Sequence, residues 1–181
     1  MKTRLSNSSL WLNNYSVYII YGLLALVVLL LQTAPRFFPA IGHARPVPVI
    51  VFVVCAALFE GVRVGVVVGV LAGLLWDLYA FRLFGFSALL LLAIGLTVGL
   101  LVEWLLRANF LSAMLLCSGA VLVHALLEWF FCYVIFQKEQ VLAILWQVYL
   151  PNCLYTVLLS PLMYWCMRWI AGVLRRRTNR E

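Results

Sequence analysis

Residues 60–85 read EGVRVGVVVGVLAGLLWDLYAFRLFG, from Glu60 to Gly85. Gly61, Gly65, Gly69 and Gly73 recur at intervals of four, and the next step of four lands on Asp77. Glycine inside a soluble helix costs about 1 kcal/mol relative to alanine, so glycines in register need a compensating contact. On an α-helix a step of four residues turns roughly 400°, so successive positions drift by only about 40°. Gly65, Gly69 and Gly73 therefore line one smooth groove, with Gly61 at its mouth.

The solvent around this groove follows from composition. Hydrophobic residues make up 66% of the 181-residue chain and charged residues 10%, against about a quarter charged in a soluble domain. Mean hydropathy is +1.09. A soluble core of this length cannot absorb so much apolar surface, which predicts an all-α polytopic membrane protein. In lipid no hydrophobic force drives helices together, and small residues at fourfold spacing allow the close backbone approach that replaces it. A second copy of the pattern, Gly95 and Gly99, leads by the same step to Glu103. These two grooves predict helices that pack on each other or on a neighbour.

Spans of about 20 apolar residues, divided by charges and prolines, predict a compact bundle of six transmembrane helices, with five as the alternative. The predicted segments are 15–34, 47–59, 64–79, 84–104, 110–136 and 141–170. The second is short enough to be re-entrant or tilted, and Pro151 and Pro161 are expected to kink or break the sixth. Residues 1–14 read as a short polar N-terminus, 15–170 as the bundle and 171–181, with RRRTNRE, as a basic tail. The apolar run after the basic start is too long for a signal peptide and lacks a clear cleavage site, so it reads as a retained helix. With both termini cytoplasmic, nine basic residues lie inside (Lys2, Arg4, Arg63, Arg107, Arg168, Arg175, Arg176, Arg177, Arg180) and four outside (Arg36, Arg45, Arg82, Lys138). The positive-inside rule favours that orientation. The net charge of +7 falls at the ends of apolar runs, so it points to topology and lipid headgroups and not to nucleic acid.

The remaining polar residues are few. Asp77 lies on the groove face near the end of its helix, where a carboxylate opposes the macrodipole. It reads as an ion pair with Arg82 across the turn, as a residue that hydrogen-bonds there, or as one with a partner-binding or transport role. Glu103 and Arg107 are spaced as a helix-surface pair. His124 and Glu128, four apart within an apolar run, form an intramembrane polar pair that either joins helices or marks a functional site, such as an ion or proton path. One His and one Glu are too few for a metal site. The five cysteines form no CxxC and read as small buried hydrophobes. No GxSxG, HExxH or Walker loop is present, so no enzyme activity and no cofactor is expected.

Residues 59–103 resemble the MreD family of bacterial rod shape-determining membrane proteins. The family pattern is a glycine-spaced helix ending in Leu-Leu-x-Asp, a short turn, and Gly-x-x-Ala opening the next helix. It falls here on Gly65, Gly69, Gly73, Leu74, Leu75, Asp77, Gly85 and Ala88. LLLQTA (29–34), the proline-containing segment after it and the basic tail are also similar to the family. The turn LYAFRLFG departs from it in having fewer small residues. The resemblance implies a multi-pass protein of the bacterial inner membrane, a non-enzymatic subunit of the lateral peptidoglycan synthesis machinery. Its implied partners are an MreC-like bitopic protein and, directly or indirectly, RodA, a penicillin-binding transpeptidase and MreB. The alternative is the substrate-binding membrane subunit of an energy-coupling-factor type vitamin transporter, which has a similar layout.

Overall fold

In the computed structural model, which describes residues 5–34, 46–80, 85–104, 109–131 and 145–178, the helix at the centre is the shortest of six. It is α2 (Pro48–Glu60), and it touches every other one: α1 (Leu5–Thr33), α3 (Val62–Ala80), α4 (Phe86–Trp104), α5 (Phe110–Trp129) and α6 (Leu150–Thr178). The described residues contain no strand. Eleven consecutive residues of α2, Pro48 to Leu58, are buried. A helix that is apolar on all sides has no face to give to water, so it becomes the core. At 13 residues it is about 20 Å long, well short of the roughly 30 Å hydrocarbon layer. It therefore cannot serve as an independent span, and it stands inside a ring of the longer helices.

Both ends of α2 are closed by protein. At its start Pro48 occupies the first turn, where its missing N–H costs nothing. The Val47 N–H donates to Thr156 Oγ1 of α6 at 3.0 Å, and the Val49 N–H to Gln32 Oε1 of α1 at 3.3 Å. At its end the Gly61 N–H returns to the Ala57 carbonyl at 3.0 Å, with Gly61 at φ +87°. That positive φ, which glycine adopts without steric cost, lets the chain reverse into α3 with a single residue between the two helices.

Contacts fix the helix directions. The Tyr21 hydroxyl donates to Glu60 Oε1 at 3.2 Å, while Gln32 reaches the opposite end of α2, so α1 runs antiparallel to α2. Thr156 meets the start of α2 and Tyr164 packs on Phe59 near its end, with ring centroids 5.4 Å apart, so α6 runs parallel to it. Phe110, at the start of α5, also packs on Tyr164 at 5.4 Å. The start of α1 and the end of α6 thus lie at the same end of the bundle. Three helices, α3, α4 and α5, are long and apolar enough to cross a membrane by length and composition, and Val17–Thr33 and α2 are shorter apolar helices.

Several expected boundaries shift. The first helix begins ten residues earlier than the apolar run, because no proline or glycine interrupts LSNSSLWLNN and helix formation does not require an apolar side chain. The fifth helix is described only to Phe131, so the rest of segment 110–136 lies outside the described residues, as does the start of segment 141–170. The sixth is not broken at Pro161. It follows a π-helical turn (Leu145–Tyr149) and runs without interruption to Thr178, so the tail begins as helix. Pro161 removes the donor that the Val157 carbonyl would receive four residues back. The Ser160 hydroxyl donates to that carbonyl at 2.7 Å instead, and lies 3.3 Å from Met114 Sδ. Such local substitution is what makes proline tolerable in lipid.

A double-mutant cycle tests this repair. Ser160→Ala leaves a buried carbonyl without its donor and should lower detergent-phase stability by about 1–3 kcal/mol. In a Pro161→Ala background, which restores the backbone N–H, the same change should cost markedly less. Equal losses in the two backgrounds would show that Ser160 does not serve the proline.

Candidate functional site

The two glycine grooves face each other and make the tightest contact in the bundle, the α3–α4 hairpin. A Cβ built on Gly69 would lie 2.5 Å from the Leu91 carbonyl oxygen, and one on Gly99 2.6 Å from Val62 Cα. One on Gly95 would overlap the Gly65 carbonyl, and one on Gly73 the Ala88 backbone. A Cβ on Gly65 would meet the methyl of Ala57 at 2.5 Å, so this glycine also admits α2. The facing atoms are mostly backbone, which cannot swing aside. These residues pack the chain against itself, so the grooves are filled within this one bundle.

Asp77 completes the hairpin. Its side chain is 2% exposed. It accepts the Gly85 N–H at Oδ2 (2.8 Å), the Ser87 N–H at Oδ1 (3.2 Å) and the Ala88 N–H at Oδ2 (3.4 Å). The start of a helix leaves its first donors without intrahelical partners, and a carboxylate there is favoured by both hydrogen bonding and the macrodipole. Asp77, in the last turn of α3, thus caps α4. Gly85 stands at φ +93° with open space around it, so its glycine serves backbone conformation. Ala88, buried against Gly73, serves close approach. The Asp, Gly and Ala of the motif therefore have three separate jobs in one turn. Arg82, the expected ion-pair partner, lies outside the described residues, as does Arg107, and the described partners of Asp77 are backbone amides.

The second polar feature stands beside the first. His124 Nδ1 is 3.8 Å from Glu128 Oε2 on α5. The buried imidazole stacks on Trp76, the neighbour of Asp77, with ring centroids 5.5 Å apart and planes 5° from parallel. On its other side His124 lines a cavity of about 40 Å³ with Glu128, Tyr149, Asn152, Thr156 and Val47. That volume suits a water or two. The cavity opens at the start of α2, so the cluster gathers around the positive end of a buried helix dipole. Thr156 ties it together, accepting from Val47 while donating to the Asn152 carbonyl at 2.7 Å.

Sequence reasoning singled out the glycines, Asp77 and the His124–Glu128 pair, and passed over Gln32, Thr156 and Trp76. A polar side chain inside an apolar run was the available signal for Gln32 and Thr156. Trp76 carried none, since tryptophan is common in membrane segments. Among the cysteines, Cys55 and Cys117 are buried, Cys153 is half-buried and Cys166 is exposed, all four free, and Cys132 lies outside the described residues.

The seam and the cap each yield an expected outcome. Gly69→Leu should cost at least the 1–3 kcal/mol typical of overpacking and lower the yield of monodisperse protein. Val67→Leu, at a position 38% exposed, should behave as wild type. Full stability of Gly69→Leu would remove the packing role. Asp77→Asn keeps one acceptor oxygen and should melt between wild type and Asp77→Leu. Neutralising Arg82 should not rescue it, because the lost partners are backbone amides.

A sequence profile described as rod shape-determining protein MreD matches residues 13–170. No curated protein and no solved structure matches the chain. The profile spans the whole bundle, from α1 to the last turns of α6, and includes the seam, the cap and the polar cluster. On that match, the chain belongs to the MreD family.

Proposed function

We propose that this chain is a non-enzymatic inner-membrane subunit of the cell-elongation machinery, which helps maintain rod shape by binding an MreC-like bitopic protein from within the bilayer. Family membership supports the role in shape determination. The observation that supports helix-to-helix partner binding is how the polar and small residues are used. The seam glycines and Asp77 are taken up inside the bundle, and what remains on α4, α5 and α6 is an aliphatic surface. Leu89, Leu111, Leu115 and Leu154 are all more than two-thirds exposed. On α5, Gly119 is exposed and has no heavy atom within 4 Å of a built Cβ. It offers a partner helix the close approach that Gly69 offers α4.

Both termini are taken to face the cytoplasm, on the nine-to-four division of basic residues. RodA, the transpeptidase and MreB would then be reached through the MreC-like protein or at the cytoplasmic end. The vitamin-carrier alternative fits less well. The polar cavity beside His124 is about 40 Å³, whereas a vitamin needs a pocket of several hundred.

The test is complementation of cell shape in a strain depleted of its own MreD, with co-purification in mild detergent. The wild-type chain should restore rods and retain an MreC-like protein. Gly119→Leu should fold normally yet retain less of it. Recovery of an ATPase module with a bound vitamin, or turnover of lipid-linked wall precursor by the purified chain, would sink this proposal.

A further inference from the structure

At the end of α6 lies a surface groove of about 510 Å³, lined by Trp165, Arg168, Trp169, Gly172 and Val173. Its depth in the bilayer can be placed from the packing. Tyr164, one turn earlier, meets Phe59 near the end of α2 and Phe110 at the start of α5. Arg168 therefore stands just beyond the end of the apolar bundle. Trp165 and Trp169 are each 73% exposed, and tryptophan at such a level marks the headgroup boundary. The groove lies where apolar and polar layers meet.

Its lining matches that position. Arg168 is exposed. Gly172 has open space where a side chain would stand, which leaves the groove its floor. Toward the bilayer, Leu158 and Leu162 lie on the same side of α6 and are 77% and 63% exposed. One face of a single helix thus carries an aliphatic track, a tryptophan pair, an arginine and a gap. Of the described acidic residues at this end, Glu60 accepts from Tyr21 and Glu103 approaches Gly61, and neither lines the groove. Among the described residues no carboxylate lines the groove beside Arg168.

We propose that this groove holds an anionic glycerophospholipid, its phosphate on Arg168 over Gly172 and its acyl chains along Trp165, Leu162 and Leu158. Arginine suits a phosphate because its planar fork presents parallel donors. The acyl chains supply what a free phosphate lacks, contact with the aliphatic track. This site needs only that the bundle spans a membrane and is independent of which partner the chain binds.

Tryptophan quenching by acyl-brominated lipids tests the site on the full chain reconstituted in vesicles. The relevant signal is the part lost in a Trp165→Phe/Trp169→Phe variant. Brominated phosphatidylglycerol should quench it with roughly fivefold preference over brominated phosphatidylcholine, the effect expected of about one basic contact at the surface. Arg168→Gln should remove that preference. Gly172→Leu should also remove it, by filling the floor with the charge unchanged. Arg63→Gln, which removes one exposed charge at the same end of the bundle from a residue that does not line the groove, should leave it intact, and glycerol phosphate added in solution should not compete. No preference in the wild type, an equal loss in Arg63→Gln, or competition by glycerol phosphate would overturn the proposal.

Discussion

A buried helix shorter than the membrane is thick can exist only if other parts of the chain complete its backbone hydrogen bonds. The rest of this bundle is arranged around that constraint. The hydrocarbon layer offers no donors or acceptors, so an unmet N–H there costs several kcal/mol. Here the N–H groups of Val47 and Val49 are met by Thr156 and Gln32, side chains from the last and first helices. Proline at 48 removes one donor from the account. These contacts pin α1 and α6 against one end of α2, and Tyr21 and Tyr164 hold the same two helices near its other end. The short core helix and the paths of its neighbours have one physical cause.

The α3–α4 hairpin solves a related problem by different means. Its helices approach until backbone touches backbone, which only the glycines and Ala88 permit. At the start of α4, Gly85 takes a positive φ that favours glycine, so no capping side chain stands there. Asp77 supplies the cap from the preceding helix. A carboxylate near the C-terminus of its own helix is unfavourably placed with respect to that helix, and the gain at α4 reverses the balance. His124 is tied to this turn through the stack on Trp76. The two polar features of the chain therefore form one continuous region at the end of the bundle where α2 and α4 begin.

Much of this was legible in the sequence, and the reasons differ from residue to residue. The fourfold glycine repeat survives as a signal because helical geometry converts sequence spacing directly into a face. The hydropathy gave the class for a similar reason, since it reports the solvent. The facing partner of each glycine was not legible, because periodicity within one helix carries no information about another. The central position of α2 was partly visible in its length and its unbroken apolar run, but both features also suit a tilted or re-entrant segment. Pro161 does not break its helix; the sequence rule describes the missing donor, and the hydroxyl of Ser160 that replaces it is visible only in three dimensions. Asp77 was read as a residue at the turn, with Arg82 as one expected partner. The donors it accepts from, the amides of residues eight to eleven positions ahead, depend on a chain reversal that no local pattern specifies.

The closure of α2 by Thr156 also bears on how the protein is made. In the two-stage view, helices insert separately and then associate. At 13 residues, α2 is too short to hold its place in the bilayer alone, and the amide at its start finds its partner on α6, 109 residues later. The core of the bundle is therefore complete only after α6 has entered the membrane. The α3–α4 hairpin, whose seam and cap lie within residues 62–104, has its packing and its cap supplied locally and needs no such wait. These contacts imply an outside-in order of assembly, with that pair first and the middle of the molecule last.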